Sequence, residues 1–200
     1  MSLGERAFNL ALALSAWSWA ALGLAHADPQ DRATVVRLGI AALHLVVGSL
    51  VLWRKPQERL GSAWQLAAAL PALLISGVAL RLAPAPHQWP IAAQLVFLAG
   101  TALALTSLVR LGRDFSILPA LRGIQTAGPY SWVRHPAYLG ELLMLLSCSL
   151  AGPLGRAWPV LLALPLVMLR VRAEERVLSG SFAWCAYREQ VRWRLVPGLW

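Results

Sequence analysis

The sequence predicts an all-α, polytopic integral membrane protein, and three observations carry that expectation. Several stretches with little or no charge have the length of a bilayer-spanning helix. Of the 200 residues, 58% are hydrophobic and only 14% charged, too little charge to clothe a soluble domain of this size. The Arg and Lys residues fall on alternate loops, as they do when a chain is threaded through a membrane. The architecture expected is four spanning helices followed by a C-terminal helical hairpin and an interfacial amphipathic helix. The N-terminal membrane region covers residues 1–109, and residues 110–200 hold the residues able to do chemistry.

The elements follow in order. Residues 7–25, AFNLALALSAWSWAALGLA, are nineteen uncharged positions and make the first span. Arg6 ahead of them and AHA at 25–27 also mimic a secretory signal with a cleavage site, but later spans make a removable signal unnecessary, so retention is expected. Residues 33–53 form a second span with Arg37 near its start, and RKPQERLG is a polar loop. Residues 62–80 form the third. After APAPHQWP, Pro90 suits the first turn of a fourth helix that reaches about Val109. Residues 110–135 contain four Arg, Asp114, three Gly and two Pro, and are a loop. Two shorter apolar runs, 142–155 and 157–169, flank the turn signal GPLGRAWP and read as a helical hairpin. From Arg170 to Trp200, Arg alternates with Trp, Leu and Val, the pattern of an amphipathic interfacial helix ended by Pro197 and Gly198.

Counting basic residues along this threading places fourteen Arg and Lys on one side and four on the other. The richer side is cytoplasmic by the positive-inside rule, giving a multi-pass cell-membrane protein with both termini cytoplasmic and six crossings if the hairpin crosses. The net charge of +9 does not indicate nucleic acid, since the basic residues are scattered singly with no patch or motif. Cys148 and Cys185 lack pairing or metal-ligand spacing, so no metal site is expected.

The hairpin makes a geometric prediction. With one arm over Pro136–Leu150 and the other over about Pro159–Arg172, each is roughly 21 to 23 Å long. Equal arms bring Arg134, His135 and Tyr138 beside Arg170, Glu174 and Glu175 at the membrane boundary. Arg170 and Glu174, four apart, share a helix face, and Glu175 is rotated off it. Taken singly, each residue has an ordinary explanation: Arg134 and His135 as interfacial anchors, the glutamates as a solvated face, Tyr138 as part of the aromatic belt. His26, His44, His87 and both cysteines look incidental. What stands out is both charge signs, an imidazole and a phenol at one membrane depth, where ionisable groups tend to be functional.

These residues also carry a likeness. GPYSWVRHPAYLG, then RVRAEERVL, then YREQVRWRLVPGLW resemble, over residues 110–200, the catalytic half of the isoprenylcysteine carboxyl methyltransferase family, which is related to the membrane phospholipid methyltransferases. The resemblance implies a membrane enzyme using S-adenosylmethionine without a Rossmann domain. It assigns cofactor binding to Arg122, Gly123, Ile124, Gln125, Tyr130, His135, Pro136, Ala137, Tyr138 and Glu174, and substrate contact to Arg170. It departs from the family at SFAWCAY, where Trp184 and Tyr187 are the aromatics, and at Arg122, where a His often stands. The implied acceptor is a hydrophobic or lipid-linked small molecule, with carboxylate O-methylation favoured; a carboxylate or thiolate nucleophile needs no general base. Two alternatives are a sterol-reductase-like membrane enzyme, which carries a similar Arg-His-Pro motif but uses NADPH, and a non-catalytic membrane scaffold.

Overall fold

The computed structural model describes residues 3–200 except 29, 56–58, 61, 122 and 153–156. Arg122, one of the residues assigned to the cofactor, therefore lies outside the described residues. The helices are α1 (Leu3–Ala25), α2 (Thr34–Trp53), α3 (Ala63–Leu82), α4 (Ile91–Leu111), α5 (Pro136–Leu150), α6 (Trp158–Leu178) and α7 (Phe182–Gln190). Two-residue strands β1 (Arg59–Leu60) and β2 (Ala120–Leu121) pair antiparallel, with Arg59 opposite Leu121.

Among the described residues three helices are long and apolar enough to cross a membrane, over Gly4–Ala25, Thr34–Trp53 and Ile91–Asp114. α3 has a spanning length, but its shorter apolar part is Leu70–Leu82. Exposed apolar side chains show what surrounds the bundle. Trp19, Leu74, Val109 and Leu161 are each more than half exposed, a surface that water would not sustain and lipid would.

The helices pack as a chain of neighbours: α1 on α2, α2 on α4, α4 on α5, and α3 on α6. α4 and α5 pack with their backbones close together at two glycines. A Cβ added at Gly140 would lie 2.6 Å from the Gly100 carbonyl oxygen, and one at Gly100 would lie 2.7 Å from the Gly140 carbonyl oxygen. Small residues let helix backbones come together where hydrophobic burial gives no drive, as in lipid.

At one end of the bundle, polar contacts tie the loops together. The Lys55 backbone N–H donates to the Arg113 carbonyl at 2.7 Å, the Lys55 ammonium lies 2.9 Å from Asp114, and β1 and β2 join the same two loops. These are loops that the charge pattern assigns to a common side.

The C-terminal third differs from expectation in three ways. α6 runs two turns past Arg172, to Leu178, so the two arms have 15 and 21 residues and are not equal. α5 and α6 do touch, but α5 lies mainly on α4 and α6 mainly on α3, so the end residues meet through the bundle and not through a self-contained hairpin. The segment from Arg170 to Trp200 is not one amphipathic helix. It breaks at Ser179–Ser181, where Ser-Gly-Ser favours helix poorly, resumes as the nine residues of α7, and ends in a non-helical tail. That tail spends its carbonyls elsewhere: Trp193 and Arg194 accept from the backbone N–H groups of Arg134 and His135, both at 2.9 Å.

Candidate active site

His135 precedes Pro136, and the proline ring disfavours helical backbone before it, so His135 sits outside the helical region (φ −129°, ψ 58°) at the mouth of α5. From there the helix carries Tyr138 one turn inward. α6 ends alongside, beyond its apolar half, with Arg170, Glu174 and Glu175 on its polar last turns.

The two glutamates do different work. Tyr138 donates its hydroxyl to Glu174 Oε2 at 2.6 Å. Glu175 faces the other way and gathers three cationic or potentially cationic groups: its Oε1 lies 3.2 Å from His135 Nε2 and 3.4 Å from Arg134 Nε, and its Oε2 accepts from Arg194 Nε at 2.9 Å. Burial works to raise the Glu175 carboxyl pKa, but the hydrogen bonds from His135 and Arg194 and the charge of Arg134 outweigh it and hold the carboxyl below its ordinary value. Glu175 is thus a clamp joining the start of α5, the end of α6 and the C-terminal tail. The sequence placed it off the Arg170–Glu174 face, as the structure does, but gave no sign that it was the hub.

Because a carboxylate only accepts, His135 Nε2 must carry the proton, and in the neutral ring Nδ1 is left as an acceptor. The His135 backbone N–H is also committed to the tail. The ring stacks on Tyr138, centroids 5.7 Å apart, and tilts against Trp184 at 6.2 Å. Arg170 packs over the Tyr138 ring at 4.7 Å and donates Nη2 to the Ile117 carbonyl at 2.9 Å. Its Nε is buried and has no hydrogen-bond partner among the described residues. Tyr187, in the aromatic segment that departs from the family pattern, donates to the Tyr130 carbonyl at 2.6 Å. Burial pushes both phenols up, so they remain neutral.

These groups surround one cavity of about 520 Å³. Gly123, Ile124, Gln125, Tyr130, His135, Ala137, Tyr138, Arg170 and Glu174 all line it. Pro136 instead is buried at the first turn of α5, where it sets the helix start. The glycine at 123 is needed for space: a Cβ there would come within 2.6 Å of the Asp114 carboxylate, which Gln125 also contacts. The cavity further takes in residues that sequence reasoning missed. His44, read as incidental, faces it from α2, and Ser76, Glu141 and Met144 line its membrane-side half. Glu141 was discoverable, since it stands three residues after Tyr138 and shares its face of α5. His44 carried no local signal in an apolar helix.

Residues 89–183, from the buried Trp89 just before α4 to the first residues of α7, match the family model for phospholipid methyltransferases. Over that segment the chain is similar to the phospholipid methyltransferases, part of the group of membrane methyltransferases that also includes the isoprenylcysteine carboxyl methyltransferases. The matched segment contains α4, α5 and α6, the three helices that carry the close glycine contact, His135, Tyr138, Arg170 and both glutamates. The non-helical tail lies beyond it. The chain is also similar to the Lamin-B receptor of Drosophila melanogaster, 35% identical over 78 residues, which cover 36% of this chain and 10% of that protein. It therefore spans about a tenth of that relative's length.

Proposed function

We propose that this chain is an S-adenosylmethionine-dependent methyltransferase of the isoprenylcysteine carboxyl methyltransferase kind, acting on a hydrophobic or lipid-linked acceptor, with carboxylate O-methylation favoured. The observation that carries the reading is the cavity in which Tyr138, Glu174 and Arg170 meet in the family's own segment, polar at the loop end and apolar toward the membrane. Its volume suits a small-molecule cofactor together with part of an acceptor.

The residues fit such a cofactor by their chemistry. S-adenosylmethionine supplies an electrophilic methyl group on a sulfonium, with an ammonium, a carboxylate, ribose hydroxyls and adenine for recognition. Glu174, aimed into the cavity by Tyr138, suits a cation or a ribose diol. The stacked rings of His135 and Tyr138, with Trp184, offer aromatic faces to positive charge. In the neutral ring, His135 Nδ1 would suit an N–H of the ligand. Gly123, Ile124 and Gln125 supply backbone beside the same cavity. Arg170, with an unpartnered buried Nε, would hold an anionic acceptor in line for attack. The apolar wall would receive the acceptor's chain and keep water from the nucleophile.

In this reading the loop end of the bundle and both termini face the cytoplasm, where the cofactor is available. Calorimetry on detergent-purified protein separates the alternatives. S-adenosylhomocysteine should bind and NADPH should not. Binding of NADPH alone would favour a reductase, and binding of neither would favour a scaffold.

A further inference from the structure

Past Tyr138 and Arg170 the cavity continues into the bundle, where Leu43, Val47, Leu108 and Met144 form apolar wall. A carboxylate there is costly unless it is held and used. Glu141 nevertheless lines this half, five residues into α5 and so about 7.5 Å below its start. Its Oε1 accepts a hydrogen bond from Ser76 Oγ at 2.5 Å, a residue of α3 that also lines the cavity. Two helices far apart in sequence thus hold one carboxylate at the wall. It lines the same cavity as Arg170 and Tyr138. Among the described residues, however, Arg170 joins no ion pair, so its charge is not consumed by Glu141. The chamber is therefore lined by a cationic side chain, Arg170, and separately by an acceptor, the Glu141 carboxylate.

We propose that Glu141, braced by Ser76, is the acceptor-side specificity residue, selecting amphiphilic carboxylates that also carry an N–H or O–H donor beside the carboxylate. A plain fatty carboxylate held by Arg170 would bring a second negative charge toward Glu141. A head group with an adjacent donor converts that repulsion into a charge-assisted hydrogen bond. The inference rests on the methyltransferase reading and specifies the acceptor within it.

The test uses the full-length protein in detergent, saturated with S-adenosylhomocysteine, and measures binding and not turnover. The probes are N-dodecanoylglycine and N-dodecanoylsarcosine, which share chain and carboxylate and differ in amide N–H against N–CH3. The glycine compound should bind about tenfold tighter or more, the value of a hydrogen bond to a charged group. Glu141→Leu should bring the two affinities together while S-adenosylhomocysteine still binds. Glu141→Gln, which keeps volume and an acceptor for Ser76, guards against misfolding and should cut the preference at least threefold. Equal affinities in the unaltered protein, a preference that survives both variants, or no binding of either probe overturns the inference. Cofactor affinity measured alongside reports separately on the methyltransferase reading, which falls only if S-adenosylhomocysteine itself fails to bind.

Discussion

Adjacent glutamates with separate duties give the sharpest prediction. Glu175→Ala removes the carboxylate that joins Arg134, His135 and Arg194, whose side chains are 4%, 5% and 34% exposed. The partly solvated Arg194 contact contributes little, because water screens it. Arg134 and His135 are left buried beside an empty position, and stripping one partner from a buried pair costs about 3–5 kcal/mol. For a chain of this length that corresponds to a fall in melting temperature of about 6–20 °C, readable by tryptophan fluorescence in detergent. Glu174→Ala should lower melting by clearly less, because it strips only the hydrogen bond of the Tyr138 hydroxyl. The pH dependence has a definite sign. The folded Glu175 carboxyl lies below its ordinary value, so its stabilising contribution is present above the unfolded pKa of 4.5 and is lost as pH falls through the folded value. Glu175→Gln should therefore flatten the acid limb of the stability curve below about pH 4.5 and change its shape little above it. Unaltered melting in Glu175→Ala, or an equal loss in Glu174→Ala, would refute the division of labour.

Four further outcomes are expected. Glu174→Ala and His135→Ala should each weaken S-adenosylhomocysteine binding by about 1.5–3 kcal/mol in calorimetry, and unchanged affinity in both would remove them from the pocket. Arg170→Ala should cut turnover strongly while cofactor affinity stays within a few-fold, and Arg170→Lys should rescue little because an ammonium cannot reproduce the planar fork; cofactor loss matching that of Glu174→Ala would make the arginine a support for the cofactor pocket. Gly140→Ala forces a methyl against the Gly100 carbonyl and should destabilise by about 1–3 kcal/mol or more, seen as a lower melting temperature. Reporter fusions after Trp200 should score cytoplasmic and after Pro86 external, and the reverse pattern would invert the orientation.

What the sequence by itself determined about this protein is mostly what depends on neighbours along the chain. Apolar runs of span length located α1, α2, α3 and α4 to within a few residues, and Pro136 marked the start of α5 because a proline ring disfavours helix before it and favours the first turn. The shared face of Arg170 and Glu174 followed from helix periodicity, while their meeting with Tyr138, expected from equal hairpin arms, comes about through the bundle instead. Tertiary structure alone decided the rest, because those features depend on groups brought together from distant positions. Glu175 became a hub only when the tail, folded back by its own backbone hydrogen bonds, delivered Arg194 to it. The tail's loss of helix had the same cause, since Arg134 and His135 needed carbonyls that a helix would have kept. Glu141 acquired its partner from α3, 65 residues away, and His44 reached the cavity only because α2 packs on α4. A hydrophobic pattern reports which face of a helix avoids water, and in lipid it does not report which neighbour that face will meet.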